Sequence, residues 1–160
     1  MSQDARFEDG AERPLRLKAE TPEDVAVISS LLQDAVLTGA DLRHDPRRRR
    51  FDLLLNRFRW EDADAASRQK RAFERVRTVL GIGDVLKVSH QGLQSRAPDQ
   101  VLSLLAIDFA PGEDGTGVLT LTLSGDGALQ LQVECVDLTL TDVTRPYRAP
   151  SGSQPKHPDA

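Results

Sequence analysis

The stretch Arg47-Arg-Arg-Arg-Phe-Asp-Leu-Leu-Leu-Asn-Arg-Phe-Arg-Trp-Glu61 decides how this 160-residue chain is read. It holds the only Trp, two of the five Phe and the densest run of positive charge. Phe51, Leu54, Leu55 and Phe58 fit helical spacing, whereas Phe51, Leu53 and Leu55 fit the alternation of a strand. A strand is preferred, because His44-Asp45-Pro46-Arg47 before it is a turn signature and the aromatics that end it suit a pleated surface. Its apolar face then passes from the odd residues up to Leu55 to the even ones, Phe58 and Trp60. That change predicts a bulge or sharp coil at Asn56-Arg57, with the Asn56 amide bonded to freed backbone and Arg57 and Arg59 turned to solvent.

Upstream, Val36 to Leu42 is predicted to run as a strand, turn at Asp45-Pro46 and form an antiparallel hairpin with this spine. Before it, Thr21-Pro22-Glu23-Asp24 reads as a helix start: Thr caps, Pro fits the first turn, and the acids meet the positive end of the helix dipole. Val25, Ile28, Leu31, Leu32 and Ala35 follow the 3.6-residue period, so the helix is predicted over 22–35 with one buried stripe. Leu15, Leu17 and Ala19 alternate with charges and predict a short edge strand.

Downstream, Asp62 to Ser67 reads as a polar linker. Strands are predicted over 73–80 and 85–90, interrupted at Gly81-Ile-Gly-Asp84, with a loop over 94–98. Val101 to Phe109 is apolar on both faces and reads as a central strand. Val118 to Ser124 and Ala128 to Cys135, joined by Gly125-Asp-Gly127, form the clearest hairpin, and 137–143 reads as a further extended segment. The fold class expected is α+β: a curved antiparallel sheet or partly closed barrel of about seven or eight strands with one N-terminal covering helix. Residues 14–144 are expected to form the single domain, between a flexible tail at 1–13 and a flexible Pro-rich tail at 145–160. The expected core is Leu17, Val25, Ile28, Leu32, Leu53, Leu55, Val101, Leu105, Ile107, Leu121, Leu131 and Val133.

The net charge of −4 hides an asymmetry. Residues 43–77 carry +6, twelve cations against six acids, and the remainder −10, nine against nineteen. Such a zone can meet nucleic acid or an acidic partner, but pairing with the protein's own carboxylates or with water ranks first. A single Cys excludes an internal disulfide, and no apolar run approaches the roughly 20 residues of a membrane span, so a cytoplasmic protein without membrane contact is expected.

Cys135 falls at an inward strand position and reads as a small packed hydrophobe rather than a nucleophile paired with His90. The three His and one Cys lack metal-ligand spacing, so neither metal nor cofactor is expected. The glycines at 112–117 and 125–127 precede strands, not helices, and read as turns rather than phosphate loops. Arg57, Arg59 and Trp60, with Arg48 and Arg50, are the candidate contact surface, since Arg and Trp anchor many interfaces. Trp60 can equally be core.

Val27-Ile-Ser-Ser-Leu-Leu-Gln-Asp-Ala-Val36, Leu53-Leu-Leu-Asn-Arg-Phe-Arg-Trp-Glu61, Val101-Leu-Ser-Leu-Leu-Ala-Ile107 and Gly125-Asp-Gly-Ala-Leu-Gln-Leu-Gln-Val-Glu-Cys135 together resemble the bacterial domain-of-unknown-function family numbered 2948. The resemblance covers roughly residues 15–148 and implies a small bacterial cytoplasmic protein, with no catalytic residues to carry over. The reading therefore leans away from an enzyme and toward a binding or assembly module whose partner is a protein. The alternatives are an enzyme or small-ligand protein whose groups converge only in the fold, and a weak binder of single-stranded nucleic acid.

Overall fold

The computed structural model describes residues 14–92, 99–148 and 155. The readings of 1–13 as a tail and of 94–98 as a loop lie outside the described residues. The chain opens with strand β1 (Arg16–Ala19), whose alternation buries Ala19 and half-buries Leu17. Helix α1 (Pro22–Leu31) then starts on a capping box: Thr21 Oγ1 accepts from the Asp24 amide at 3.2 Å, and Asp24 Oδ2 accepts from the Thr21 amide at 3.2 Å. Val25, Ile28 and Leu32 are buried, as the periodicity requires. The helix stops short of the predicted Ala35. Asp34 takes a left-handed φ of 64° and gives its amide to Leu104 O, which turns the chain into strand β2 (Ala35–Thr38).

A single 3₁₀ turn (Gly39–Asp41) separates β2 from β3 (Leu42–Asp45), and the Pro46–Arg49 turn leads into β4 (Arg50–Phe58). The predicted hairpin is there, with Leu42 opposite Leu53 and Asp45 opposite Arg50. The predicted bulge is not. Pairing of β4 with β5 (Glu74–Ile82) runs unbroken from Phe51↔Ile82 to Phe58↔Arg75. Phe51, Leu53, Leu55 and Arg57 therefore share one face. Phe58 lies on the other, buried against Trp60 and Phe73 at ring-centroid distances of 4.7 and 5.7 Å. A second cover, rather than a kink, buries the second set.

That cover belongs to helix α2 (Trp60–Arg68) and the segment after it. Trp60 is thus not the end of the strand, and the predicted polar linker is helical. Ala63, Ala65 and Ala66 supply propensity, and Ala63 and Ala66 are buried. Strands β6 (Val85–Gln91), β7 (Val101–Pro111), β8 (Gly117–Leu123), β9 (Gly127–Val133), β10 (Leu138–Asp142) and the two-residue β11 (Tyr147–Arg148) complete the described chain. Tyr147 and Arg148, read as part of a flexible tail, pair with Arg75 and Glu74 of β5.

Every pairing is antiparallel, in the order β1-β10-β5-β4-β2-β7-β8-β9-β6, with β3 also on β4 and β11 also on β5. The sheet is not closed. Eleven strands and two helices are described, against the expected seven or eight strands and one helix. Pieces of two to four residues such as β3 and β11 are too short to carry a period. One buried cluster unites α1 with the inner faces of β4, β5 and β10 on one side and of β7, β8 and β9 on the other. Of the expected core, Val101 and Leu105 are exposed instead, at 66% and 36%. Leu105 follows Val101 and Ser103 outward by alternation with the buried Leu102 and Leu104, and a register shift between Leu104 and Ala106 then turns Ile107 inward. Among the described residues no helix is long and apolar enough to cross a membrane.

Candidate functional site

The predicted arginine surface is largely an internal ion network. The Arg57 side chain is 0% exposed and chelates two carboxylates: Nη1 and Nη2 reach Glu61 at 2.8 and 2.9 Å, and Nε and Nη2 reach Asp142 at 3.1 and 2.9 Å. Burial alone would lower its pKa. The hydrogen bonds of Glu61 and Asp142 outweigh it, and the guanidinium is held above its ordinary value. Arg59, 6% exposed, binds Glu74 and lies 3.6 Å from Asp62, which forks onto Arg71 at 2.8 and 2.9 Å. The Arg71 hydrogen bond, against burial, holds the Asp62 carboxyl below the usual range. Trp60 gives its indole N–H to Gln33 O at 3.0 Å. These three residues clamp the ends of β4, β5 and β10 to the start of α2. Arg57 and Arg59 are buried in that clamp, and Trp60 is half-exposed beside it.

Arg48 is exposed in the β3–β4 turn, with Asp45 at 3.9 Å. Arg50 lies across the sheet, 3.3 Å from Asp52, in space that a side chain at Gly81 would take: a Cβ there would stand 2.6 Å from Arg50 Nη2 and 2.8 Å from Thr139 Oγ1. Arg50 therefore remains on a surface, and that surface is larger than the sequence suggested.

The registers define it. On the solvent side of the sheet one row reads Arg16, Thr141, Val79, Leu54. The next reads Lys18, Thr139, Gly81, Asp52, Arg43. Toward the other end come Arg77 beside Asn56, and Tyr147, Arg75 and Phe58 abreast. Neighbouring strands lie ~4.8 Å apart and same-face residues ~7 Å apart along a strand, so the face spans about 20 Å each way. Val79, Leu54, Thr139 and Thr141 form a half-exposed floor. Among the described residues Arg16, Lys18, Arg43, Arg75 and Arg77 make no ion pair with a carboxylate. Arg75 is lowered from its ordinary pKa by burial, with Tyr147 and Asp34 pulling it partly back, and its Nη1 donates to Asn56 O at 3.2 Å. The Asn56 amide, expected on freed backbone, instead meets the Tyr147 hydroxyl.

Carboxylates gather at the opposite end of this face. Asp137 lies over Gly83, beside Arg50, and shares a hydrogen bond with Asp84. Burial first, then Asp84, push the Asp137 carboxyl up, with Lys18 and Arg50 pulling it partly back, so Asp137 can hold a proton above the usual carboxylate range. Cys135, expected inward, is exposed and points its thiol at Asp84 Oδ2, 3.3 Å away. Burial of the sulfur, the Asp84 hydrogen bond and the surrounding acids push it up to about 11, which keeps it a thiol and a poor nucleophile. His90 is exposed on β6. Among the described residues no group of three or more His, Cys, Asp or Glu is placed to hold a metal ion.

The basic face could have been found in the sequence. Arg16-Leu17-Lys18 and Arg75-Val76-Arg77 each set two cations about an inward residue, which in a strand places both on the solvent face. No local signal says that these strands share a sheet with Arg43.

Compared with known families, residues 15–157 match the model described as "Protein of unknown function (DUF2948)". The chain belongs to the DUF2948 family. No curated protein and no solved structure matches it. The DUF2948 match takes in both the ion network and the whole basic face, and it brings no activity with it, so any function has to be argued from the geometry.

Proposed function

We propose that this DUF2948 protein is a non-enzymatic binding module that takes a polyanionic partner on the solvent face of its β1-β10-β5-β4-β3 sheet. The observation that carries the reading is the charge arrangement. A chain of net charge −4 and pI about 5.4 gathers onto one sheet face five cations that make no ion pair among the described residues. Cations scattered for solubility would be interspersed with acids. Here the buried network pairs the acids at the base of α2, while Asp137, which feels Lys18 and Arg50, lies at one end of the face. The field left over the rows from Arg16 to Arg77 is positive, and a field of that kind steers and holds anions. The same reading places the protein in a bacterial cytoplasm, on the family resemblance and the single free thiol, and its partner outside the membrane.

Retention on a heparin column tests it, because an acidic protein sticks there only if its positive charge is organised. Wild type should be retained at low salt and elute well before high salt. The triple variant Arg16→Glu, Lys18→Glu, Arg77→Glu, all at exposed positions, should pass through. Wild-type protein in the flow-through would end the proposal.

A further inference from the structure

We infer that the polyanion is single-stranded nucleic acid, lying along the strands with its phosphates on the cations and its bases over the floor; this rests on the proposed function and narrows it to one class of partner. The composition of the face separates nucleic acid from an acidic polypeptide. The centre of a protein–protein interface is depleted in charge and built on large apolar and aromatic anchors, whereas nucleic-acid interfaces are more polar and far more positive. The centre of this face holds Leu54, Val79, Thr139 and Thr141, all half-exposed, and its partly exposed aromatics, Tyr147 and the Trp60 and Phe73 that cover Phe58, stand at one end. That centre offers no aromatic anchor for a folded partner. Hydroxyls and a carboxamide beside guanidinium groups are the side chains that hold phosphate and sugar oxygens.

The spacing agrees. Arg16 and Lys18 stand two residues apart on β1, and Arg75 and Arg77 stand two residues apart on β5, each pair about 7 Å between Cα atoms. That distance suits successive phosphates of an extended strand. Tyr147 reaches over β5 from β11 to Asn56, and so presents its ring between Arg75 and Arg77 as a platform for one base. An open, twisted sheet face is also the surface on which single strands are commonly held, since unpaired bases can be laid flat on it. A duplex would offer its bases no access to this floor.

The test is fluorescence anisotropy of a labelled 12-nucleotide single strand, as RNA and as DNA, beside a labelled 12-residue polyglutamate, at about 50 mM salt. The oligonucleotide should bind at least tenfold more tightly than polyglutamate. If five cations each meet a phosphate, log K should fall with log salt at a slope near −3.5, from about −0.7 per contact. Arg77→Glu with Arg16→Glu should weaken oligonucleotide binding more than tenfold, and Lys87→Glu, on β6 outside the face, should leave it unchanged. Tyr147→Leu should weaken the oligonucleotide severalfold and leave polyglutamate alone. If polyglutamate binds as tightly as the oligonucleotide, the nucleic-acid inference falls while the polyanion reading stands. If neither binds, both fall. If Lys87→Glu costs as much as the face variants, the surface is wrong.

Discussion

Arg57 and Asp142, 85 residues apart in the chain, meet at 2.9 Å between the ends of β4 and β10, with the guanidinium sealed from solvent. Leu55 occupies the preceding position on the same face of β4, so Arg57 continues the inward series where the apolar core stops. A charge in that position survives because four of its five N–H donors find carboxylate oxygens, Glu61 on one side and Asp142 on the other, and the fifth reaches Phe58 O at 3.5 Å. The pair closes the end of the half-sheet that carries the basic face.

Removing one partner of such a pair strands the other. Arg57→Met should lower stability by about 3 to 5 kcal/mol in a urea titration, and adding Asp142→Leu should restore much of that loss, because the orphaned carboxylate is then gone. Arg59→Ala should cost about 2 kcal/mol or more, well above the ~0.5 kcal/mol of an exposed arginine. A neutral Arg57→Met would show that the network is ornamental to folding.

The Asn56 carboxamide and the Tyr147 hydroxyl tie β11 across β5 to β4. Asn56→Ala and Tyr147→Phe should each cost about 1 kcal/mol, and the double variant little more than either, since both remove one hydrogen bond. Strictly additive losses would show that the contact carries no coupling.

Asp137 gives a pH signature with a definite sign. Its folded-state pKa is raised, so the folded protein binds the proton more tightly than the unfolded chain. The carboxyl therefore favours the fold at low pH, and that contribution is lost as pH rises from about 3.8 through the raised value. Asp137→Asn should be more stable than wild type by roughly 0.5 to 1 kcal/mol at pH 7, with the difference shrinking toward pH 3.5. Equal urea midpoints for the two proteins at pH 7 would contradict the raised Asp137 carboxyl.

Cys135 should react slowly for an exposed thiol. With its pKa near 11 rather than about 8.5, alkylation by iodoacetamide at pH 8 should run roughly a hundredfold slower than for a free cysteine. Asp84→Asn removes a neighbouring negative charge, and should speed the reaction severalfold. A fast wild-type thiol would contradict the Cys135–Asp84 contact.

The local half of this architecture was legible in the residues. Thr21, Pro22 and Asp24 announce the start of α1 because a capping box is closed within four residues. Alternation marks β4 and the β8–β9 hairpin because the pleat has a period of two, and Gly125 with φ 74° and Asp126 with φ 63° supply the left-handed turn between the latter pair. Reading Asp62 to Ser67 as a linker failed where polar composition outweighed alanine propensity. Reading a bulge at Asn56-Arg57 failed for a different reason: an arginine was assumed to face water, so the odd face was taken to end at Leu55.

What the sequence by itself determined is the period and punctuation of each element, since those follow from dihedral preferences and hydrogen bonds between near neighbours. It also set the excess of positive charge over 43–77. Only the tertiary structure decided where that charge went, because a strand's alternation says which residues share a face but not which strands lie beside it. The antiparallel order β1-β10-β5-β4 brought Asp142 to Arg57, where burial makes an ion pair obligatory, and left Arg16, Lys18, Arg43, Arg75 and Arg77 on the wet side outside ion-pair distance of any carboxylate among the described residues. The arginines nearest the sequence's most distinctive stretch became scaffold, and those from more distant strands became the candidate surface, because solvent access is a property of the assembled sheet.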